Sequence, residues 1–138
     1  PQGGLSVGRG GVEAYGALVL RIFLGAIYLA HAYLALFVMG PAKAIDYQRA
    51  MHFPMPEIGV WYLILAHGLG GILLILGVLV RWAALANIPI MAGALWFVHL
   101  QQGFFMLDGK NGYEYVLFLL GATVAQAFLG AGAFTLKK

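Results

Sequence analysis

The sequence predicts an all-α integral membrane protein, a four-helix bundle whose successive helices are antiparallel neighbours and whose N and C termini lie on one side. Three observations carry that expectation. Apolar residues make up 62% of the 138 residues and charged ones only 9%, against roughly 25% charged in an ordinary globular domain. The mean hydropathy is +0.89. The apolar residues gather into four runs joined by short connections, and short links make successive helices antiparallel.

The runs fall at about residues 15–39, 59–80, 83–100 and 113–130, each near the roughly 20 residues that cross a bilayer as a helix. Together they form a single membrane domain spanning residues 1–138. Residues 1–13 are polar and glycine-rich. The run that follows exceeds a signal-peptide core of about 7 to 15 residues and is expected to remain as the first span. Pro41, Pro54 and Pro56 mark a loop of moderate length between the first two spans, Arg81-Trp82 a very tight turn, and residues 101–112 a glycine-rich connection. Pro89 falls inside the third span, where it removes a backbone donor and kinks the helix; Asn87 or a neighbour is placed to help satisfy the freed carbonyl.

An even number of spans puts both termini on one side. That side carries Arg9, Arg81, Lys137 and Lys138, and the other carries Lys43, Arg49 and Lys110. The positive-inside rule counts Lys and Arg, so the termini are expected to be cytoplasmic. Trp61, Tyr62, Trp82, Trp96, Phe104, Phe105, Tyr113 and Tyr115 lie near span ends and read as interfacial anchors. Gly25, Gly70, Gly71, Gly77, Gly93 and Gly121 recur inside the spans, where small residues let helices approach closely in lipid.

Composition also excludes chemistry. There is no cysteine, which rules out disulfides, thiolate metal sites and thiol exchange. A net charge of +3 is spread too thinly to form a basic patch interleaved with aromatics, so no nucleic acid is expected as a partner. Membrane lipids are.

The remaining polar residues concentrate in one leaflet. A rise of about 1.5 Å per residue sets His67 ~3 Å, His31 ~6 Å, His99 ~10 Å and Glu114 ~12 Å from their span midpoints, all towards the first and third loops. Ionisable groups at such depths are costly and usually face protein, water or a ligand. His31, His67, His99, Tyr113 and Glu114 therefore form a candidate site for a quinone or a proton relay, since histidine titrates near neutral pH and a carboxylate can be raised towards it. In that role the histidines would bond quinone carbonyls or pass protons, with Glu114 at the mouth. A metal bound through imidazole and carboxylate, or haem b held by two histidines, is a further chemistry open to these residues. No histidine pair has the i, i+4 or HxxEH spacing that specifies a metal, so both rank below a quinone, and no metal ligand is assigned. The plain alternative is that each histidine hydrogen-bonds a neighbouring helix. His52 belongs to the first loop.

Arg21 is the deepest permanent charge, and a partner inside the bundle is preferred over snorkelling. Gln126 falls at a similar depth and could meet it. Arg81 is read as a structural charge at the end of the second span.

The order of these features resembles the DoxX/DoxD family of small four-helix membrane proteins. The resemblance rests on Arg21, Gly25 and His31 in the first span; Gly70, Gly71, Gly77 and Arg81 in and after the second; Val98-His99 with Gly103-Phe104-Phe105; Gly112-Tyr113-Glu114-Tyr115; and the glycine-rich residues 130–136. It extends over nearly the whole chain, and the two elements within residues 98–115 are the most specific. It implies a subunit of a multi-subunit, quinone-linked redox complex in a bacterial or archaeal cytoplasmic membrane, with other membrane subunits as partners and no self-sufficient catalytic motif. The chain departs from the family pattern at His67, where an acid is usual, and at Ala35, where a lysine commonly stands. These departures favour a second reading, an accessory subunit that stabilises a larger respiratory or photosynthetic complex.

Overall fold

A computed structural model describes residues 11–136, in which five helices and no strand are found. α1 spans Val12–Tyr33, α2 Pro41–Ala50, α3 Pro56–Leu76, α4 Val80–Ala94 and α5 Glu114–Leu129. Two of them continue past their regular ends. α1 runs into a π-helical turn at Leu34–Val38, where the Met39 amide reaches back five residues to the Leu34 carbonyl at 2.8 Å. α4 does the same at Leu95–His99 and ends in a 3₁₀ turn, Leu100–Gln102. With these extensions, three helices are long and apolar enough to cross a membrane: Val12–Val38, Pro56–Leu76 and Val80–Gln102. The fourth apolar helix, Glu114–Leu129, has 16 residues and is about 24 Å long at the helical rise.

Hydrogen bonds and close approaches fix how the helices run. Arg21 of α1 bonds the Leu74 and Ile75 carbonyls of α3, and a methyl group on Gly25 would lie 2.7 Å from the Gly71 carbonyl. Contacts of low number in one helix thus meet high number in the other, and α1 and α3 are antiparallel. Backbone-to-backbone approach at Gly25 and Gly71 is the close packing that small residues permit in lipid. Gly70 plays a similar part towards α4, since a methyl there would come within 2.8 Å of Asn87 Nδ2. By contrast, nothing approaches the Cβ direction of Gly121.

Burial follows the logic of a bilayer. The interior holds Arg21, Asn87, Thr123 and Gln126, each fully buried, together with Tyr28, Leu24 and Leu74. Large apolar side chains such as Phe23, Phe37, Trp82, Phe118 and Phe128 point outward, Phe128 being 81% exposed. A surface of this kind would be an aggregation liability in water and is the ordinary state against lipid tails.

Three sequence expectations change. The segment after Gly40 is a ten-residue helix, α2, rather than a loop: Pro41 occupies its first turn, where a missing amide costs nothing and the fixed φ suits a helix. The tight turn lies at 77–79 and not at Arg81-Trp82. Gly77 ends α3 with φ +77°, its amide and that of Val78 both bonding the Leu73 carbonyl, and Leu79 follows at φ +49°. Arg81 therefore sits in the first turn of α4 instead of the end of α3, its Nη2 reaching the Phe128 carbonyl of α5 at 3.4 Å. Asn87 does not bond the carbonyl freed by Pro89; its amide goes to Ala66 and Ala83, while the Tyr62 hydroxyl donates to Ala86 near the proline at 2.6 Å.

The last described residues strap the structure shut. After Gly130 the chain crosses to the start of α1, where Ala133 N–H bonds the Ala14 carbonyl, and to the end of α3, where Leu136 N–H bonds Leu76, both at 2.9 Å. The ends of the described chain thus lie together. Arg9, Lys137 and Lys138, which carried most of the charge argument for cytoplasmic termini, lie outside the described residues.

Candidate functional site

The first and third helical spans break into π turns on the same side of the molecule, and the turns face a common cavity of about 630 Å³. π turns insert one extra residue and are frequent at functional sites. Leu34 and Ala35 come from one, Phe97, Val98 and His99 from the other, and Pro89 from the kinked part of α4. α2 closes the same cavity with Ala44, Tyr47 and Gln48. Its walls are mostly apolar, and no charged side chain lines it.

His67 and Gln48 are the buried polar residues of this cavity, His67 being 4% exposed. Its ring stacks on Tyr28 with centroids 4.6 Å apart and planes 13° off parallel. Nδ1 lies 2.5 Å from Asn87 Oδ1. Tyr28 in turn bonds Thr123, whose hydroxyl donates to the Leu119 carbonyl at 2.7 Å. Two hydrogen-bonded pairs, Asn87–His67 between α4 and α3 and Tyr28–Thr123 between α1 and α5, are thus joined by the stack of His67 on Tyr28. His31, one turn beyond Tyr28, is exposed, and its ring meets that of His67 edge-on at 6.4 Å. His99 stands at another wall with Nδ1 donating to the Asn111 carbonyl at 2.8 Å.

The five candidate residues divide. His31, His67 and His99 line one cavity, having come from three helical spans. Tyr113 and Glu114 do not line it. Tyr113 packs edge-on against Phe104 at 5.3 Å. Glu114 Oε2 accepts the Met106 amide at 2.9 Å, and its own amide bonds the Phe104 carbonyl, so its carboxylate organises the 103–112 loop. Two aromatics expected as membrane anchors, Tyr62 and Tyr115, also line the cavity. Among the described residues no three of His, Asp or Glu gather closely enough to ligate one metal ion.

A second polar site, at the opposite end of the helices, was legible only as a buried charge. Arg21 is 0% exposed and places all five of its N–H donors on backbone carbonyls. Nε bonds Ala131 at 2.8 Å, Nη1 bonds Leu74 at 2.9 Å and Ile75 at 2.7 Å, and Nη2 bonds Ala133 at 2.7 Å and Phe134 at 2.6 Å. The C-terminal end of α3 carries partial negative charge from its unpaired carbonyls, which suits a guanidinium that pairs with no carboxylate among the described residues. Gln126 does not meet Arg21; its Nε2 bonds Gly130 at 2.8 Å and Ala17 at 3.2 Å.

The DoxX family model matches residues 16–100, more than half of the chain. The chain belongs to the DoxX family. The matched segment takes in Arg21, His31, His67, Gly70, Gly71, Gly77, Arg81 and His99, and so most of the cavity. It ends before Gly103-Phe104-Phe105 and Gly112-Tyr113-Glu114-Tyr115, so of the two elements read as most specific in the sequence only Val98-His99 lies within it. No curated protein and no solved structure matches this DoxX member significantly.

Two contributors to the site were missed by sequence reasoning. Tyr28 was one apolar-span residue among many, although its position one turn before His31 placed it on the same helix face. Gln48 was assigned to a loop; it packs against Gly59, where a methyl would lie 2.5 Å from its Oε1.

Proposed function

We propose that this DoxX protein is a four-span subunit of a multi-subunit, quinone-linked redox complex and that the histidine cavity receives a quinone headgroup. Its termini are assigned to the cytoplasmic side of a bacterial or archaeal inner membrane. The observation that carries the proposal is the convergence of His31, His67 and His99 on one apolar-walled cavity without charged lining. A volume of about 630 Å³ is within the roughly 300–1,000 Å³ of small-molecule sites, which pair apolar walls with a few fixed polar groups. His31 is exposed and also lines the cavity, which gives a lipid-soluble ligand an entry at the level of the membrane. When bound, a quinone supplies two-electron, two-proton redox chemistry. The chain's own residues hold the headgroup against Tyr28 and Phe97 and offer His67 and His31 as successive proton-accepting groups.

The test is turnover. His67 and His99 are substituted in the native complex and quinone-linked activity is assayed with assembly monitored in parallel. Activity should fall while assembly persists; unchanged turnover with intact assembly would sink the site. The accessory reading draws on one specific observation, that Tyr113 and Glu114 are engaged in loop structure. It prevails if deletion of the chain lowers only the yield or stability of the complex.

A further inference from the structure

The hydrogen bonds around His67 determine which of its nitrogens carries the proton. Asn87 donates from Nδ2 to the Ala66 carbonyl at 2.9 Å and the Ala83 carbonyl at 2.8 Å. Both partners can only accept, so the amide nitrogen must face them, and the atom turned to His67 is the amide oxygen. An amide oxygen also only accepts. His67 Nδ1 is therefore the protonated nitrogen, and in a neutral imidazole Nε2 is left as a bare lone pair. No charged side chain lines the cavity to balance an imidazolium. His67 Nε2 bonds nothing among the described residues.

The neighbouring groups are arranged alike. His99 Nδ1 faces the Asn111 carbonyl at 2.8 Å, so it too donates from Nδ1 and keeps Nε2 as an acceptor. Thr123 commits its hydroxyl proton to the Leu119 carbonyl. The Tyr28 hydroxyl must then donate to Thr123, which leaves only lone pairs on the Tyr28 oxygen. His67 and His99 thus each present an acceptor nitrogen among the residues that line the cavity. Donors stand elsewhere on the cavity wall, on the Gln48 amide, the His31 ring and the Tyr47 and Tyr115 hydroxyls.

We infer that the cavity recognises the reduced, hydroxylic member of a quinone pair, a quinol O–H donating to His67 Nε2, in preference to the oxidised quinone. A quinone carbonyl in the same position would set lone pair against lone pair and leave both unpaired. This selectivity rests on the quinone reading above and names the redox form that the site takes.

The experiment titrates purified protein in detergent, under anaerobic conditions, with a decyl benzoquinone, the corresponding quinol, and the dimethyl ether of that quinol, which has the same ring but no donor. One buried hydrogen bond lost corresponds to roughly tenfold in affinity, so the quinol should bind at least about tenfold more tightly than either other ligand. Measurable but equal binding of quinone and quinol, or tighter binding of quinone, overturns the selectivity and leaves the quinone site standing; no binding of any of the three overturns both. His67→Phe, which keeps the ring stack, should bring the quinol-to-quinone ratio to within about twofold, and a ratio unchanged in that variant overturns the assignment to His67. Nitrogen NMR of the unsubstituted protein reads the tautomer without any variant: His67 should show a protonated Nδ1 and a bare Nε2, and the reverse pattern overturns the inference.

Discussion

Arg21 of α1 donates from Nη1 to the carbonyl of Leu74, 2.9 Å away in the last turn of α3. This bond joins the first helix to the third at the end of the molecule where the C-terminal strap also lies, and the same guanidinium holds that strap through Ala131, Ala133 and Phe134. One side chain thus ties three segments that are distant in sequence. Gly77 makes the arrangement possible: a methyl there would lie 2.9 Å from Thr135 Cα and 3.1 Å from Arg21 Cζ.

Removing this side chain should be among the most damaging single changes to stability. Arg21→Met leaves five carbonyls without their donor, and an unsatisfied buried group costs about 1–3 kcal/mol. Because the groups share one partner the costs do not add, but a loss of at least ~3 kcal/mol and a fall in melting temperature on the order of 10 °C are expected. Arg21→Lys, with three donors instead of five, should fall between. Thermal unfolding in detergent followed by tryptophan fluorescence measures both, and a methionine variant as stable as the parent protein would remove the clamp from the account.

The close approach of α1 and α3 makes a paired prediction. A methyl on Gly71 would meet the Gly25 carbonyl at 2.9 Å and the Leu29 amide nitrogen at 3.0 Å, neither of which can move without its helix. Gly71→Ala should cost about 1–3 kcal/mol through overpacking. Gly121→Ala, which meets nothing within 4 Å and lies inside α5, should be neutral or stabilising by up to about 1 kcal/mol. Comparing the two in one denaturation series separates packing from the general effect of adding a methyl to a helix, and similar values for both would show that the helices are not held at this crossing.

These two regions also show what the sequence made legible. Apolar run length located the helices because a bilayer imposes it, and small residues marked the α1–α3 crossing because close approach in lipid requires them. Helical rise and alternating direction put His31, His67 and His99 at one end of the helices, and the three line one cavity. Side-chain azimuth did not follow, because it depends on which neighbour each helix faces. Glu114 has the right depth for the cavity, yet its carboxylate turns to Met106 of the adjoining loop. Arg21 was recognisable as a buried charge, but its acceptors are backbone carbonyls, which every residue possesses and no motif encodes. α2 could have been found: Gly40 followed by Pro41 is a helix-start pattern, and Asp46 and Arg49 stand at the i,i+3 spacing of helical neighbours, in the 3.2 Å pair seen.

Glu114 gives a prediction that separates loop structure from proton transfer. Glu114→Gln retains a side-chain oxygen able to accept the Met106 amide but cannot take up a proton as a carboxylate does. If the residue works as the geometry indicates, Glu114→Gln keeps at least half of the quinone-linked turnover of the native complex, whereas Glu114→Ala speeds amide exchange at Met106 by roughly tenfold through loss of its acceptor. Loss of more than nine-tenths of turnover in the glutamine variant would return Glu114 to the proton path.

Gln48 supplies the converse case, a substitution expected to strengthen the protein. Its Oε1 is buried and without a hydrogen-bond partner among the described residues, pressed against Gly59 in the packing of α2 on α3. An amide oxygen held away from water in this way carries a desolvation cost of about 1–3 kcal/mol. Methionine has similar length, no such oxygen and a flexible thioether that fills irregular space. Gln48→Met should therefore raise the stability of the ligand-free protein by about 1 kcal/mol, read as a higher melting temperature in the same detergent. Because Gln48 also lines the cavity, the quinol titration on this variant adds a second readout: a gain in stability with unchanged affinity makes the amide a packing element alone, while a gain accompanied by weaker binding makes it a polar contact that the ligand completes. A variant less stable than the parent would contradict the desolvation argument and require that Gln48 Oε1 has a partner in the membrane-embedded protein.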